Sequence, residues 1–147
     1  MTQATPVLVG IKHLEQRQSD PKVAQEPIQL MIEAVKGAAR DAGSEELLKA
    51  NSVRVSKGIW PYQNPGKAIA EAIGCPHAES VISSFGGNFV QTLVNQSALD
   101  IQNGLHDIII ITGAECGYTA AKAAKAKLDL DWSSLPGTPD RQLGEDK

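Results

Sequence analysis

The sequence predicts an α/β fold, a mostly parallel sheet with helices on both faces, and three observations carry that expectation. Ile108-Ile109-Ile110-Ile111 is an uninterrupted β-branched run, the pattern of a strand covered on both sides. Between the short apolar runs lie longer segments whose apolar residues recur every three to four positions, the period of amphipathic helices. The two kinds of segment alternate as β-α-β-α-β-α-β-α, which favours parallel pairing through helical crossovers.

The elements follow in chain order. Val7 to Ile11 reads as a first strand after Pro6, and the polar stretch Glu15 to Glu26, with Pro21, as a surface loop. Pro27 suits the first turn of a helix. Ile28, Met31, Ile32, Val35, Ala38, Ala39 and Ala42 keep its period until Gly43 stops it. A short helical piece, Glu45 to Ala50, precedes the alternating strand Val53-Arg54-Val55. After an aromatic loop from Ile59 to Gln63, Asn64 and Pro65 open a second helix that Gly74 and Pro76 close. Val81-Ile82 is the next strand. A glycine turn then leads into a long helix carrying Phe89, Val90, Leu93, Val94, Ala98 and Ile101, with Asn88 as its cap and Gln91 as capping-box partner. Gly104 supplies the left-handed stop. Beyond the isoleucine strand, Thr119 to Leu128 is an alanine-lysine helix. Residues 1–128 are the expected domain and 129–147 a polar loop or truncated tail.

Composition bounds the function. With 147 residues and 41% apolar side chains the chain can bury one core. Only 4% are aromatic, so aliphatic residues and alanine must fill it. A net charge of −3 offers no electrostatic footprint for nucleic acid or an anionic membrane. No apolar run approaches the ~20 residues that span a bilayer. The N-terminus lacks a basic region and a signal-type apolar segment. Cys75 and Cys116 make neither a disulfide framework nor a metal-ligand spacing, so the expected setting is the cytoplasm and no metal is expected.

The most informative stretch is Ser83 to Glu115. A glycine turn followed by a helix aims backbone N–H groups at a point where an anion or polarised carbonyl is stabilised. Ile101-Gln102-Asn103-Gly104 closes the helix and Thr112-Gly113-Ala114-Glu115 closes the following strand. This arrangement resembles the thiolase superfamily, where a cysteine-small-serine-glycine turn opens the helix, isoleucine-x-x-glycine ends it, and the next strand closes in Gly-Gly-x-Glu. Thr5 to Ile11, Glu26 to Gly43, Ser52 to Val55 and Trp60 to Gly66 look like the corresponding elements of the acetyl-CoA acetyltransferase branch, near the sterol-carrier-type thiolases. The match covers most of residues 5–128.

That resemblance implies an acyl-CoA acyltransferase, acting in 3-ketoacyl-CoA thiolysis or Claisen condensation, of which this chain is the first half. Coenzyme A thioester enters as substrate and no separate cofactor is implied. Counting back from Gly104 puts the family's nucleophile at Gly87, and Ser83 to Asn88 holds no thiol. The family's Gly-His-Pro and Cys-x-Gly turns are likewise missing. Gly86, Gly87 and Asn88 are therefore expected to bind substrate, while the catalytic residues remain unassigned. The alternative is a non-catalytic thiolase-fold protein that binds coenzyme A or supports assembly. Implied partners are the second thiolase half, a homodimer mate, or an oligonucleotide-binding-fold protein. A half protomer should expose apolar surface on the Phe89–Ile101 helix and at the sheet edge.

Other residues were weighed for chemistry. Cys116 follows Glu115 beyond a strand's carboxyl end, where ligands of open α/β sheets gather, although a small buried residue is the plainer reading. Cys75 reads as structural. His13 lies just past a strand, whereas His77 and His106 precede theirs and belong at the opposite rim. Glu115 is expected to bond nearby backbone. Trp60 and Tyr62 suit local packing or an acyl chain, Trp132 stands out in the tail, and Lys122, Lys125 and Lys127 suit a solvated face or coenzyme A phosphates. A nucleotide site at Gly86-Gly87 would need a third spaced glycine or a Walker lysine, and neither is present.

Overall fold

The computed structural model describes residues 3–145. Helix α1 spans Pro27–Ala42 and is followed by a short 3-10 turn, Glu45–Leu48. Strand β1 (Ser52–Val55), helix α2 (Pro65–Ile73), strand β2 (Glu79–Ser83), helix α3 (Phe89–Gln102), strand β3 (Ile109–Thr112), helix α4 (Gly117–Lys125) and strand β4 (Arg141–Leu143) complete the order. The four strands form one sheet, ordered β3-β1-β2-β4, in which every pairing is parallel. The chain is thus an α/β protein whose helices alternate with its strands.

Strand β1 shows why both faces must be covered. Val53 and Val55 point into an apolar core with Ile28, Met31 and Val35 of α1 and Ile69 of α2. Ser52 and Arg54 point the other way, yet they are equally inaccessible, because Arg54 reaches Ser97 and Asp100 of α3. Helices α1 and α2 therefore lie on one face and α3 on the other.

Three helix ends share one mechanism. Gly43, Gly74 and Gly104 adopt φ of +78°, +92° and +76°. In each case the following residue and the glycine donate N–H groups back to carbonyls of the last turn: Ser44 to Ala39, Cys75 to Ala70 and Leu105 to Asp100 for the longer bond. This is the reciprocal pattern that satisfies orphan carbonyls. At the start of α1, Glu26 and Gln29 form a capping box behind Pro27.

The structure corrects three expectations. Val7–Ile11 is not a strand. It lies against the outside of α1, where Gly10 approaches so closely that a Cβ would sit 2.2 Å from the Ala38 carbonyl oxygen, and the Ile11 N–H donates to Asp41 Oδ2 at 2.9 Å. A strand exists only through pairing, and here the sheet edge is not reached. Asn88 does not cap α3 with its side chain. Its backbone is already helical (φ −69°, ψ −20°), whereas a capping side chain needs an extended residue. Gln91 instead donates to Asn95 Oδ1 at 2.7 Å. The expected apolar surface on α3 is present: Leu93 is buried, while Val90 and Val94 stay 48% and 45% exposed. Finally, the polar stretch after residue 128 contributes β4, anchored by Asp140, whose carboxylate accepts from the Ser80 N–H at 2.9 Å.

Among the described residues no helix is long and apolar enough to cross a membrane.

Candidate functional site

Parallel strands bring their outgoing loops to one rim. The loop after β1 turns to α2 on one face and the loop after β2 turns to α3 on the other. Two adjacent strands whose connections part in this way leave a crevice between them, the usual ligand position in open α/β sheets.

Short hydrogen bonds lock this rim. Ser83 Oγ accepts from the Lys57 N–H at 3.0 Å and donates to the Ser84 carbonyl at 2.9 Å. The Ser56 N–H donates to the Thr112 carbonyl at 2.9 Å. Glu115 is fixed by accepting from the Ile59 N–H at 2.8 Å, as expected for a carboxylate that bonds nearby backbone. Trp60 Nε1 donates to the Ala114 carbonyl at 3.1 Å. Gly58 sits inside this lattice: a Cβ there would come within 2.5 Å of Glu115 Oε1. One strand over from that position, between Ser56–Gly58 after β1 and Gly113–Glu115 after β3, lies a crevice of about 440 Å³, flanked by Val90 from the first turn of α3.

The sequence-predicted binding turn lies at the same rim, at the head of α3. Gly86 has φ +147°, and a Cβ on it would press on Asn88 Oδ1 at 2.9 Å, so only glycine fits. Gly87 is different. A Cβ added there meets nothing within 4 Å. Gly87 and Asn88 are both exposed, and the Phe89 N–H already donates to the Gly86 carbonyl at 3.1 Å. The turn therefore offers accessible backbone at a helix N-terminus, with no side chain able to attack.

Neither cysteine is poised as a nucleophile. Cys116 is buried, and its Sγ donates weakly to the Gln25 carbonyl at 3.7 Å, toward the loop before α1. Burial pushes its thiol pKa up, and the nearby Glu115 and Glu26 carboxylates add to the rise. Desolvation outweighs the helix N-terminus on which it sits, so the thiol stays protonated. Burial likewise raises Cys75, against a lowering contact from the Ala50 backbone.

The remaining candidates scatter. His13 and His77 are exposed. His106 lies at the amino rim, where its Nε2 is 3.3 Å from Glu79 Oε1. Trp60 and Tyr62 stack on one another with centroids 5.0 Å apart. The Tyr62 hydroxyl accepts from the Ile28 N–H at 3.0 Å and donates to Glu26 Oε1 at 2.8 Å, and burial pushes its pKa well up. Lys122 stands 5.4 Å from the Tyr118 ring centroid. Trp132 is half-buried. Among the described residues no three His, Cys, Asp or Glu side chains converge as a metal site.

Sequence inspection missed a buried polar network at the amino end of the sheet. Arg54 donates to Ser52, Ser97, Asp100 and Glu79. Asp100 also accepts from Arg141 Nη1 at 2.8 Å and from Gln96 Nε2 at 2.9 Å. Burial works to raise the Asp100 pKa, but hydrogen bonds from Gln96, Arg54 and Arg141 and the Arg54 charge outweigh it and hold the carboxyl at about 2. One signal was available: Leu93, Ser97 and Asp100 share a face of α3, so a polar partner on the sheet was required.

No protein-family model, curated protein or solved structure matches the chain.

Proposed function

We propose that the chain is the first half of a thiolase-type acyl-CoA acyltransferase, acetyl-CoA acetyltransferase-like, whose Gly86-Gly87-Asn88 turn seats the thioester. One observation carries this reading: the turn is exposed at the N-terminus of α3, on the carboxyl rim, with an open crevice beside Val90. Backbone N–H groups there favour a carbonyl oxygen on which negative charge develops. The motifs ending at Gly104 and Glu115 add the resemblance to thiolases.

Acyl transfer also needs a nucleophile and a group that moves a proton. Gly87 supplies no sulfur, so this chain alone binds the thioester without turning it over. A second half, a homodimer mate or an oligonucleotide-binding-fold protein would complete the machinery, in a cytoplasmic setting suited to two free cysteines. The buried, protonated Cys116 favours a second reading, a non-catalytic coenzyme A-binding or assembly protein of the same fold.

Calorimetric titration with acetyl-CoA tests the seat. The Gly87→Asp variant has room for its side chain, and an acidic residue in the first turn does not weaken a helix. Its carboxylate would repel the ligand, so binding should fall at least ~10-fold at unchanged stability. Equal affinity in the two proteins, or none in the parent chain, would sink the proposal. A reactive acyl-CoA analogue should leave the buried Cys116 unlabelled under both readings; labelling there would show a thiol able to take up the acyl group.

A further inference from the structure

A second, larger hollow lies along the free edge of β3. Its volume is about 670 Å³, within the ~300–1,000 Å³ of ligand sites. One wall is the N-terminal segment from Leu8 to Gln16, the other is α1, and the floor is β3. The end near Leu48 and Ile108 lies at the amino rim, since Ile108 and Asn51 exchange hydrogen bonds just before β1. The other end lies at Gly113 to Thr119, on the carboxyl rim. Five residue steps separate Ile108 from Gly113, roughly 17 Å at ~3.3 Å per residue.

We propose that this groove holds the hydrocarbon chain of a medium- or long-chain acyl thioester, running from the carboxyl rim along β3 between the N-terminal segment and α1. The inference rests on the thioester seat proposed above. Three features select the occupant. The greater part of the lining is apolar, with Leu8, Ile11, Leu30, Ala34, Leu48 and Ile110, while Lys12, His13, Glu15 and Gln16 add polar groups on the N-terminal wall. Leu8 and Ile11 are 83% and 66% exposed, apolar surface that an occupant would take out of water. Most telling, residues Ile111 to Glu115 line both this groove and the crevice beside Val90. A thioester seated at the head of α3 therefore has a continuous path for its tail around the end of β3. Thr112, Glu115 and Thr119 add polar side chains at the rim end, where the ester head would lie.

Titration with an acyl-CoA series, from acetyl through octanoyl to dodecanoyl, and with free dodecanoate tests the inference on the unmodified chain. Affinity should climb about fourfold per added methylene until the groove is full. Ala34→Phe, at a half-buried position of α1 facing the groove, should flatten that climb and leave acetyl-CoA binding within about twofold, which also reports that the variant is folded. Equal affinity across the series overturns the groove while leaving the thioester seat standing. Dodecanoate binding that Ala34→Phe abolishes, without any acetyl-CoA binding, supports the groove and removes the seat. Equal affinities accompanied by a concentration-dependent dimer in sedimentation would assign the groove to a second copy and overturn the acyl chain as its occupant.

Discussion

Arg54 Nη2 donates to Asp100 Oδ2 at 2.5 Å, joining an interior strand of the sheet to helix α3 with both side chains out of solvent. Two further cross-links radiate from the same carboxylate oxygen and the same guanidinium, to Arg141 of β4 and to Glu79 of β2. One cluster therefore ties three strands and a helix together.

Removing the guanidinium should be severe. Arg54→Met leaves Glu79 and Ser97 short of a partner and a buried carboxylate with half its neutralising charge, which costs about 3–5 kcal/mol. Urea unfolding checks this, read as a lower midpoint at constant slope.

Acid should act through the same group. The Asp100 carboxyl is held at about 2 against an ordinary value of 3.8. A depressed carboxylate stabilises the fold above its unfolded pKa and loses that contribution as pH falls through its folded one. The window is therefore pH 4 down to about 2, and the loss is roughly 2 kcal/mol. Asp100→Asn should be less stable at neutral pH and nearly insensitive to pH across that window, as thermal melts at stepped pH would show.

Placing sulfur in the turn is a gain-of-function prediction. Because Gly87 has open space where a Cβ would go, Gly87→Cys should fold normally and place a thiol at the head of α3, where its pKa falls. Incubation with acetyl-CoA should give an acetylated protein by intact mass, and the parent chain should give none.

Cys116 should be sluggish. Its buried, upward-shifted thiol predicts alkylation by iodoacetamide at neutral pH at least ~10-fold slower than in the urea-unfolded chain. Rapid labelling of the folded protein at this site would show that the thiol is accessible after all.

Gly144 is a fifth test. It adopts φ +89°, and a Cβ there would strike the Phe89 ring at 2.3 Å. Gly144→Ala should cost about 1–3 kcal/mol and, by displacing Phe89, loosen the start of α3. Hydrogen exchange of the first-turn amides would report the loosening.

Much of this architecture was legible because its signals are local. Gly43, Gly74 and Gly104 mark helix ends through their own backbone preference, and Pro27 and Pro65 mark starts. The isoleucine run could only be a strand. Apart from the Asn88 cap, whose residue is already helical, the failures were non-local. Val7–Ile11 has the composition of a strand, but composition does not supply a neighbour. Arg141–Leu143 has no strand-like composition and is held in the sheet by Asp140 and Arg141 reaching Ser80 and Asp100. Arg54 alternates with Val53 and Val55 in sequence, but the helix packed over it, α3, lies more than thirty residues away. The Gly86-Gly87-Asn88 turn was found where expected, but the groove beside β3 depends on the course of the N-terminal segment, which no periodicity encodes.

Helix α3 has a fixed heel and an open toe. Its buried anchors, Leu93, Ser97 and Asp100, belong to its middle and final turns, whereas Gly87 and Asn88 at its other extremity face solvent. Fourteen residues at ~1.5 Å each set the two ends roughly 20 Å apart. Mutation at the toe is thus invisible to the anchor, and a lineage could change the side chain there without first having to rescue its fold.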